Sequence, residues 1–450
     1  MEAPKLSRAL TTLPLVFIMY FNTSGGAFTT ESLVMGVGPG LALAILVVVP
    51  LVYSLPEVLI IGELASMLPV EGGYYRWVQR AFGARWAFQN AWLTWAYSLV
   101  DMAIYPVLFV QYLGYFLPEL GAPARYALAL LVIWGATAMN LRGAVRVGRA
   151  SVFAGTFVVL GFLALAVAAL PNIHHAPWQP FASSSGRGLA GLGVGLSIAL
   201  WNYVGWDNAS TVQGEVADAS RAYPRALALA LPLVALGYLV PLLAALGATD
   251  WSTWREGGWP QIALAAAGRA GPVLAVWLAL AGMVSAIALF NALLLVYSRI
   301  PFVLAEDGLL PPSLARLDAR GTPRNAVLIA AACYSVMVLV PFSGLVVADV
   351  LLYSMALSLE LASLVALRRR EPALRGSFRI PVGTTGVAML AALPVFVLLT
   401  VAGLSILDGE FALPALLGAL VTMAVGPLLY RWADAARGRR AHASLLDETG

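Results

Sequence analysis

Eight acidic residues fall inside long apolar runs of this 450-residue chain: Glu31, Glu57, Glu63, Asp101, Asp207, Glu215, Asp349 and Glu360. A carboxylate in such surroundings is costly, so it must find a partner, take up a proton or bind a cation. Three are the sharper candidates. Asp101 lies deep in its run, and Asp207 belongs to the polar stretch Asn202-Tyr-Val-Gly-Trp-Asp-Asn208. Glu31 follows a second polar stretch, Asn22-Thr-Ser-Gly-Gly-Ala-Phe28, by one to two turns. The apolar cores around them hold no basic residue. Their sign suits a proton or an amine, and Trp201, Tyr203 and Trp206 add aromatic faces that attract cations. Two readings of Asp207 stay open: it binds an ammonium, or it caps a helix end. Glu63 and Glu215 lie near the inner ends of their runs, where the Arg76–Arg85 and Arg221–Arg225 clusters offer simple ion pairs.

The elements that must position these groups are membrane helices. Hydrophobic residues make up 60% of the chain and charged residues 11%, far below the share of a soluble domain. Twelve apolar runs are long enough to span a bilayer, at about 11–36, 40–66, 84–116, 124–141, 150–170, 188–215, 223–247, 271–298, 325–343, 345–367, 386–406 and 411–430. With both termini in the cytoplasm, 23 of the 27 basic residues face inward, leaving Arg125, Arg187, Arg255 and Arg269 outside. This bias fits twelve spans in a cell inner membrane and explains the net charge of +4 without nucleic acid.

The two polar stretches interrupt the first and sixth runs. In hydrocarbon, irregular backbone survives only where protein or a cavity covers it. Gly25 and Gly26 let the chain leave helical geometry, and the freed helix ends offer N–H and C=O groups to a ligand. Paired breaks of this kind point to a secondary transporter's substrate site. Their spacing implies a five-span unit repeated in inverted orientation, about 11–170 and 188–367. Two additional helices at 386–430, with Asp408 and Glu410 in their outer turn, and a cytoplasmic tail at 431–450 follow. The segment 69–83, with Tyr74, Tyr75, Trp77 and Phe82 among Arg76 and Arg80, reads as an interfacial helix. The long inner connection 299–324 is a candidate gate or a plain loop. Three His and one Cys, Cys333, give no nucleophile–base set and no metal-ligand spacing, so neither an enzyme nor a cofactor or metal site is expected. Isolated breaks argue against a channel, which needs a continuous polar line.

The motifs carry a resemblance. Thr23-Ser-Gly-Gly-Ala-Phe-Thr-Thr-Glu31, Ser54-Leu-Pro-Glu-Val-Leu-Ile-Ile-Gly-Glu-Leu-Ala65 and Pro69-Val-Glu-Gly-Gly-Tyr-Tyr75 resemble the amino acid–polyamine–organocation transporter superfamily. Asp101-Met-Ala-Ile-Tyr-Pro-Val-Leu-Phe109, Trp201-Asn-Tyr-Val-Gly-Trp-Asp-Asn-Ala-Ser210, Gly214-Glu-Val216 and Tyr223-Pro-Arg225 resemble its polyamine-transporting branch of plants and microbial relatives. The resemblance covers about residues 11–430 and implies an all-α membrane fold with five-plus-five inverted repeats and broken helices in spans one and six. It further implies alternating access driven by protons or by exchange. Backbone around Ser24, Gly25 and Gly26 and groups from Asn202 to Trp206 would hold an amine or amino acid, with Asn22, Tyr203, Asp207, Asp101 and Glu31 as further binding candidates. Trp201 and Trp206 would gate. Some proton-coupled bacterial members carry a lysine in span five; here that place falls near Val158 and no lysine is present, so Glu31, Asp101 and Asp207 are the proton-coupling candidates. Ser285 is a weak sodium-ligand candidate by analogy. Cationic amines are the expected substrates. Transport or exchange of neutral or varied amino acids, and a sensing receptor on the same fold, are the alternatives; monomer and homodimer remain equally open.

Overall fold

The structure is a computed structural model that describes residues 6, 8–183, 188–339, 345–407 and 412–449. Asp408, Glu410, Lys5 and Arg187 lie outside these residues. Among the described residues the chain is helical and has no strand. Helix α1 (Thr12–Thr23) ends before the first polar stretch, and α2 (Thr30–Val37) resumes after it. Then come α3 (Pro39–Val49), α4 (Leu55–Met67), α5 (Gly73–Phe82), α6 (Ala84–Leu113), α7 (Ala122–Asn140) and α8 (Ala144–Ala169). The second half begins with α9 (Gly188–Trp201) and continues with α10 (Ala219–Ala248), α11 (Trp259–Ala266), α12 (Gly271–Tyr297) and α13 (Arg299–Glu306). It closes with α14 (Arg324–Met337), α15 (Leu345–Arg370), α16 (Thr384–Leu407) and α17 (Ala412–Thr449).

Nine helical stretches among the described residues are long and apolar enough to cross a bilayer; α1 and α14 are shorter apolar helices. Pro50, which has no N–H to give, sits where a π-turn over Pro50–Ser54 joins α3 to α4 into one such stretch. With its 30 residues α6 is about 45 Å long and exceeds a hydrocarbon core of about 30 Å.

Helix α12 is apolar around its whole circumference, and it is the hub: it packs on α1, α6, α7, α8 and α11. Around it stand α1 against α8 and α10, and α6 against α15. Close approach is built with glycine, since a Cβ on Gly282 would strike the Tyr112 ring and one on Gly155 the Phe17 ring. Helix α16 packs on α15 and α9, and α17 on α6 and α15, so the last two helices lie against the outside of this core.

Two sequence expectations change in detail. The 69–83 segment is helical, but Tyr74, Tyr75 and Trp77 are fully buried against α6 and α15, in protein rather than at a lipid surface. Glu63 and Glu215 do pair with arginine, but with arginines distant in sequence. Arg368 holds Glu63 at 2.5 Å and the fully buried Arg299 holds Glu215 at 2.5 Å. Arg368 lies on α15 and Arg299 on α13, so both partners come from the second half of the chain.

Candidate functional site

The first interruption runs from Ser24 to Thr29. Gly25 and Gly26 have φ values of 75° and 118°, outside the comfortable range of other residues. The turn is pinned from two sides. Ser285 Oγ donates to the Gly25 carbonyl at 2.5 Å, and the Gly26 N–H donates to Ser24 Oγ at 3.1 Å. A Cβ on Gly26 would stand 2.8 Å from Val158 on α8, so the span-five position without a lysine packs directly on this turn.

The second interruption follows Trp201. Gly205 has φ 102°, and a Cβ there would strike the carbonyl oxygen of Asn22. Glycine therefore allows the two interruptions to touch. After Asp207 the chain tightens into a 3₁₀ helix at Asn208–Glu215.

Where the interruptions meet, they enclose a cavity with α6, α12 and α15. Asn22, Thr23, Ser24, Tyr97, Asp101, Tyr105, Trp201, Val204, Gly205, Asn208, Leu289, Tyr297, Asp349 and Tyr353 line it. The free volume is about 20 Å³, room for about one water. Any amine or amino acid needs this space to open. Asp101 accepts hydrogen bonds from Tyr105 at 2.5 Å and Tyr297 at 3.2 Å. A polar chain continues from there, with Asn208 Nδ2 donating to the Tyr297 hydroxyl at 3.3 Å and Tyr97 donating to Asn208 Oδ1 at 3.0 Å. Asp349, 3% exposed, is the second carboxylate in the wall, and its Oδ1 has no hydrogen-bond partner among the described residues. None of the lining residues is basic. The wall is therefore a cation-accepting surface, with phenol rings for the apolar part of a ligand.

Of the residues singled out from sequence, Asn22, Ser24, Asp101 and Trp201 line this cavity. Trp201 stacks on Tyr105 at 6.5 Å between ring centroids and 20° between planes. Gly25 and Gly26 shape the turn behind Ser24. Asn202, Tyr203, Trp206 and Asp207 lie in a layer behind the cavity wall, all nearly fully buried. There Asn202 Oδ1 accepts from Thr29, Tyr203 donates to the Leu46 carbonyl, and the Trp206 carbonyl accepts from Tyr223. Glu31 stands apart. Its Oε1 accepts the Gly257 N–H at 2.9 Å, tying the loop before α11 to α2, while Trp259 donates to the Ala27 carbonyl.

Sequence reasoning passed over Tyr97, Tyr105, Tyr297, Tyr353 and Asn208 as site residues. A signal existed for two of them: Tyr97 and Tyr105 flank Asp101 by four residues on each side, which places all three on one face of a helix.

Polar clamps tie α5 to the segments beside it. Asp307 accepts from Tyr75 at 2.6 Å, Arg76 at 2.7 Å and Gln79 at 2.6 Å, fixing α5 to the end of α13. Burial works against its charge, yet these hydrogen bonds prevail and hold Asp307 below the usual carboxylate value. The Arg80 guanidinium likewise lowers Glu371 through a two-pronged hydrogen bond.

Residues 11–422 match the amino acid permease family. The chain is 34% identical over 425 residues to the polyamine transporter RMV1 of Arabidopsis thaliana, covering 94% of this chain and 85% of that protein. It is 33% identical over 407 residues to the polyamine transporter PUT1 of Oryza sativa subsp. japonica, covering 90% and 75%. A more distant likeness, 26% over 296 residues and 59% and 61% of the two chains, is to the branched-chain amino acid permease BcaP of Lactococcus lactis.

Proposed function

We propose that this chain, which belongs to the amino acid permease family, is a secondary transporter that takes up cationic amines, polyamines foremost, by alternating access coupled to protons. It is a multi-pass membrane transporter and not an enzyme. On this reading it has twelve spans, with the two interruptions as broken spans one and six of a five-plus-five inverted repeat. Both termini are cytoplasmic, in the cell inner membrane.

The observation that carries the substrate class is the cavity wall. Asp101 and Asp349 place two carboxylates among phenol hydroxyls, and no lining residue is basic. A diamine satisfies both charges and lays its methylenes on the Tyr105 and Trp201 rings. The names of the plant relatives agree with that chemistry.

The test is uptake into proteoliposomes. Putrescine uptake is expected to saturate, to rise with an inward proton gradient and to need no sodium. Saturable uptake of leucine with no competition by putrescine would instead establish the second reading, an amino acid transporter, which the likeness to the branched-chain permease favours.

A further inference from the structure

Behind the cavity wall lies a second acidic group that the substrate reading does not use. Glu57 on α4, Asp207 after the second interruption and Glu360 on α15 are all 2% exposed or less. The buried arginines nearest in the fold are already committed, Arg299 to Glu215 and Arg368 to Glu63. Among the described residues no basic side chain pairs with any of the three.

The geometry around Tyr353 accounts for the missing charge. Its hydroxyl oxygen lies 2.7 Å from Asp207 Oδ1 and 2.9 Å from Glu57 Oε1, and it accepts the Gly205 N–H at 2.9 Å. A phenol has one hydrogen and cannot donate to both carboxylates. If Tyr353 donates along the shorter contact to Asp207, the contact to Glu57 is a hydrogen bond only when Glu57 carries a proton and donates it. A hydroxyl oxygen has two lone pairs, so it accepts from both Gly205 and Glu57 and every site on it is used.

The surroundings supply no cation that would let all three carboxylates ionise. The fully buried Tyr53 hydroxyl lies beside Glu57 and Asp207 and has no partner in standard hydrogen-bond geometry. Among the described residues Glu57 Oε2 and Glu360 Oε2 are also buried without partners. Glu360 accepts from Asn90 at 2.9 Å and sits beside Asp207. The other titratable groups facing the cluster are the phenols Tyr74 on α5, Tyr97 on α6 and Tyr223 on α10, none of which supplies positive charge. Three adjacent buried carboxylates without a cation do not all ionise.

We infer that Glu57, Tyr353 and Asp207 form a proton-binding site, with Glu57 as the carrier, distinct from the carboxylates that face the cavity. Tyr353 belongs to both places, since it lines the cavity and holds the cluster. Loaded with a proton, the site ties α4, α15 and the Gly205 turn together around one phenol. In unloading, the Glu57 O–H bond breaks, its electron pair stays on the carboxylate, and the proton passes to water admitted as the cavity opens. Tyr353 then has one hydrogen for two repelling anions, and the tie between α4 and the Asp207 segment is lost, while the Gly205 N–H still reaches the phenol oxygen. Proton occupancy is thereby linked to closure of the cavity. The coupling role rests on the transport reading; the proton site itself does not.

Infrared spectroscopy of the purified full chain tests the site without any substrate. Near neutral pH the wild type is expected to show a protonated-carboxyl C=O band that fades as pH rises and is missing in Glu57→Gln but retained in Asp101→Asn. A Tyr353→Phe variant, which keeps the ring, should shift that band by removing its acceptor. Identical bands in wild type and Glu57→Gln would overturn the proposal. In proteoliposomes Glu57→Gln should lose proton-driven putrescine accumulation at least about tenfold while keeping putrescine counterflow. Undiminished proton-driven accumulation in that variant would also overturn it. A wild type with the band but no amine uptake would refute the transport reading and leave the proton site standing.

Discussion

Asp101 is held by the hydroxyls of Tyr105 and Tyr297 and meets no cation among the described residues. Two neutral donors solvate the charge in part, so the residue keeps an affinity for an ammonium that a full ion pair would have consumed. Asparagine has nearly the same shape but one acceptor oxygen in place of two, so Asp101→Asn removes the charge together with one of the two phenol hydrogen bonds. Putrescine affinity in that variant should fall at least about tenfold, on the order of 1.5 kcal/mol, the scale of one hydrogen bond to a charged group. Equilibrium binding to purified protein measures this, and an unchanged affinity would place the ammonium elsewhere. The acidic members of the site were legible in the sequence because a carboxylate within an apolar run is conspicuous. Their partners were not. Tyr297 lies 196 residues beyond Asp101 and Tyr353 lies 146 residues beyond Asp207, and nothing in α12 or α15 marks one tyrosine as facing either carboxylate. The same limit applied to Arg299, which reads as an ordinary inner-loop arginine and is in fact fully buried on Glu215.

At the scale of elements, the site depends on how closely two interrupted segments approach. Their polar residues and glycines were visible in the chain, and in the structure α1 stops at Thr23 and α9 at Trp201. What the sequence did not disclose is the contact between them, in which the Gly205 turn rests on the Asn22 carbonyl. Gly205→Ala should therefore do two kinds of damage. The φ of 102° strains any side chain by about 1–3 kcal/mol, and the added Cβ forces the interruptions apart. The expected result is a lower melting temperature together with weakened putrescine binding. Gly403→Ala is the informative contrast. That glycine lies within α16 with nothing near its Cβ position, so alanine there should be neutral or gain about 1 kcal/mol from helix propensity. If Gly205→Ala melts and binds like Gly403→Ala, the contact between the interruptions is not what shapes the cavity.

For the whole molecule, packing gathers the charge pairs at one end. The buried Arg299–Glu215 and Arg368–Glu63 pairs and the Asp307 clamp on Tyr75, Arg76 and Gln79 gather at one end of the helix core. The basic residues that the inward bias assigns to the cytoplasm lie at that same end: Arg76 and Arg80 on α5, the arginines closing α15, and Arg299 opening α13. Breaking a buried pair by removing one partner costs several kcal/mol, so these clamps secure that end, while elsewhere the core is tied by softer contacts, Glu31 with the Gly257 N–H and Trp259 with the Ala27 carbonyl. An inner face rich in fixed charge is also the face that the membrane potential and the insertion machinery retain in the cytoplasm. Orientation is then open to direct test. In a Cys333→Ser background, a cysteine in place of Ser252, exposed in the connection before α11, should react with an impermeant maleimide on intact cells. One in place of Ser313, exposed between α13 and α14, should react only after permeabilisation. The reverse pattern would invert the protein. The acidic cavity wall would remain, but the charge bias would no longer explain which side the clamps close, and the proton site would have to be reached from the opposite compartment.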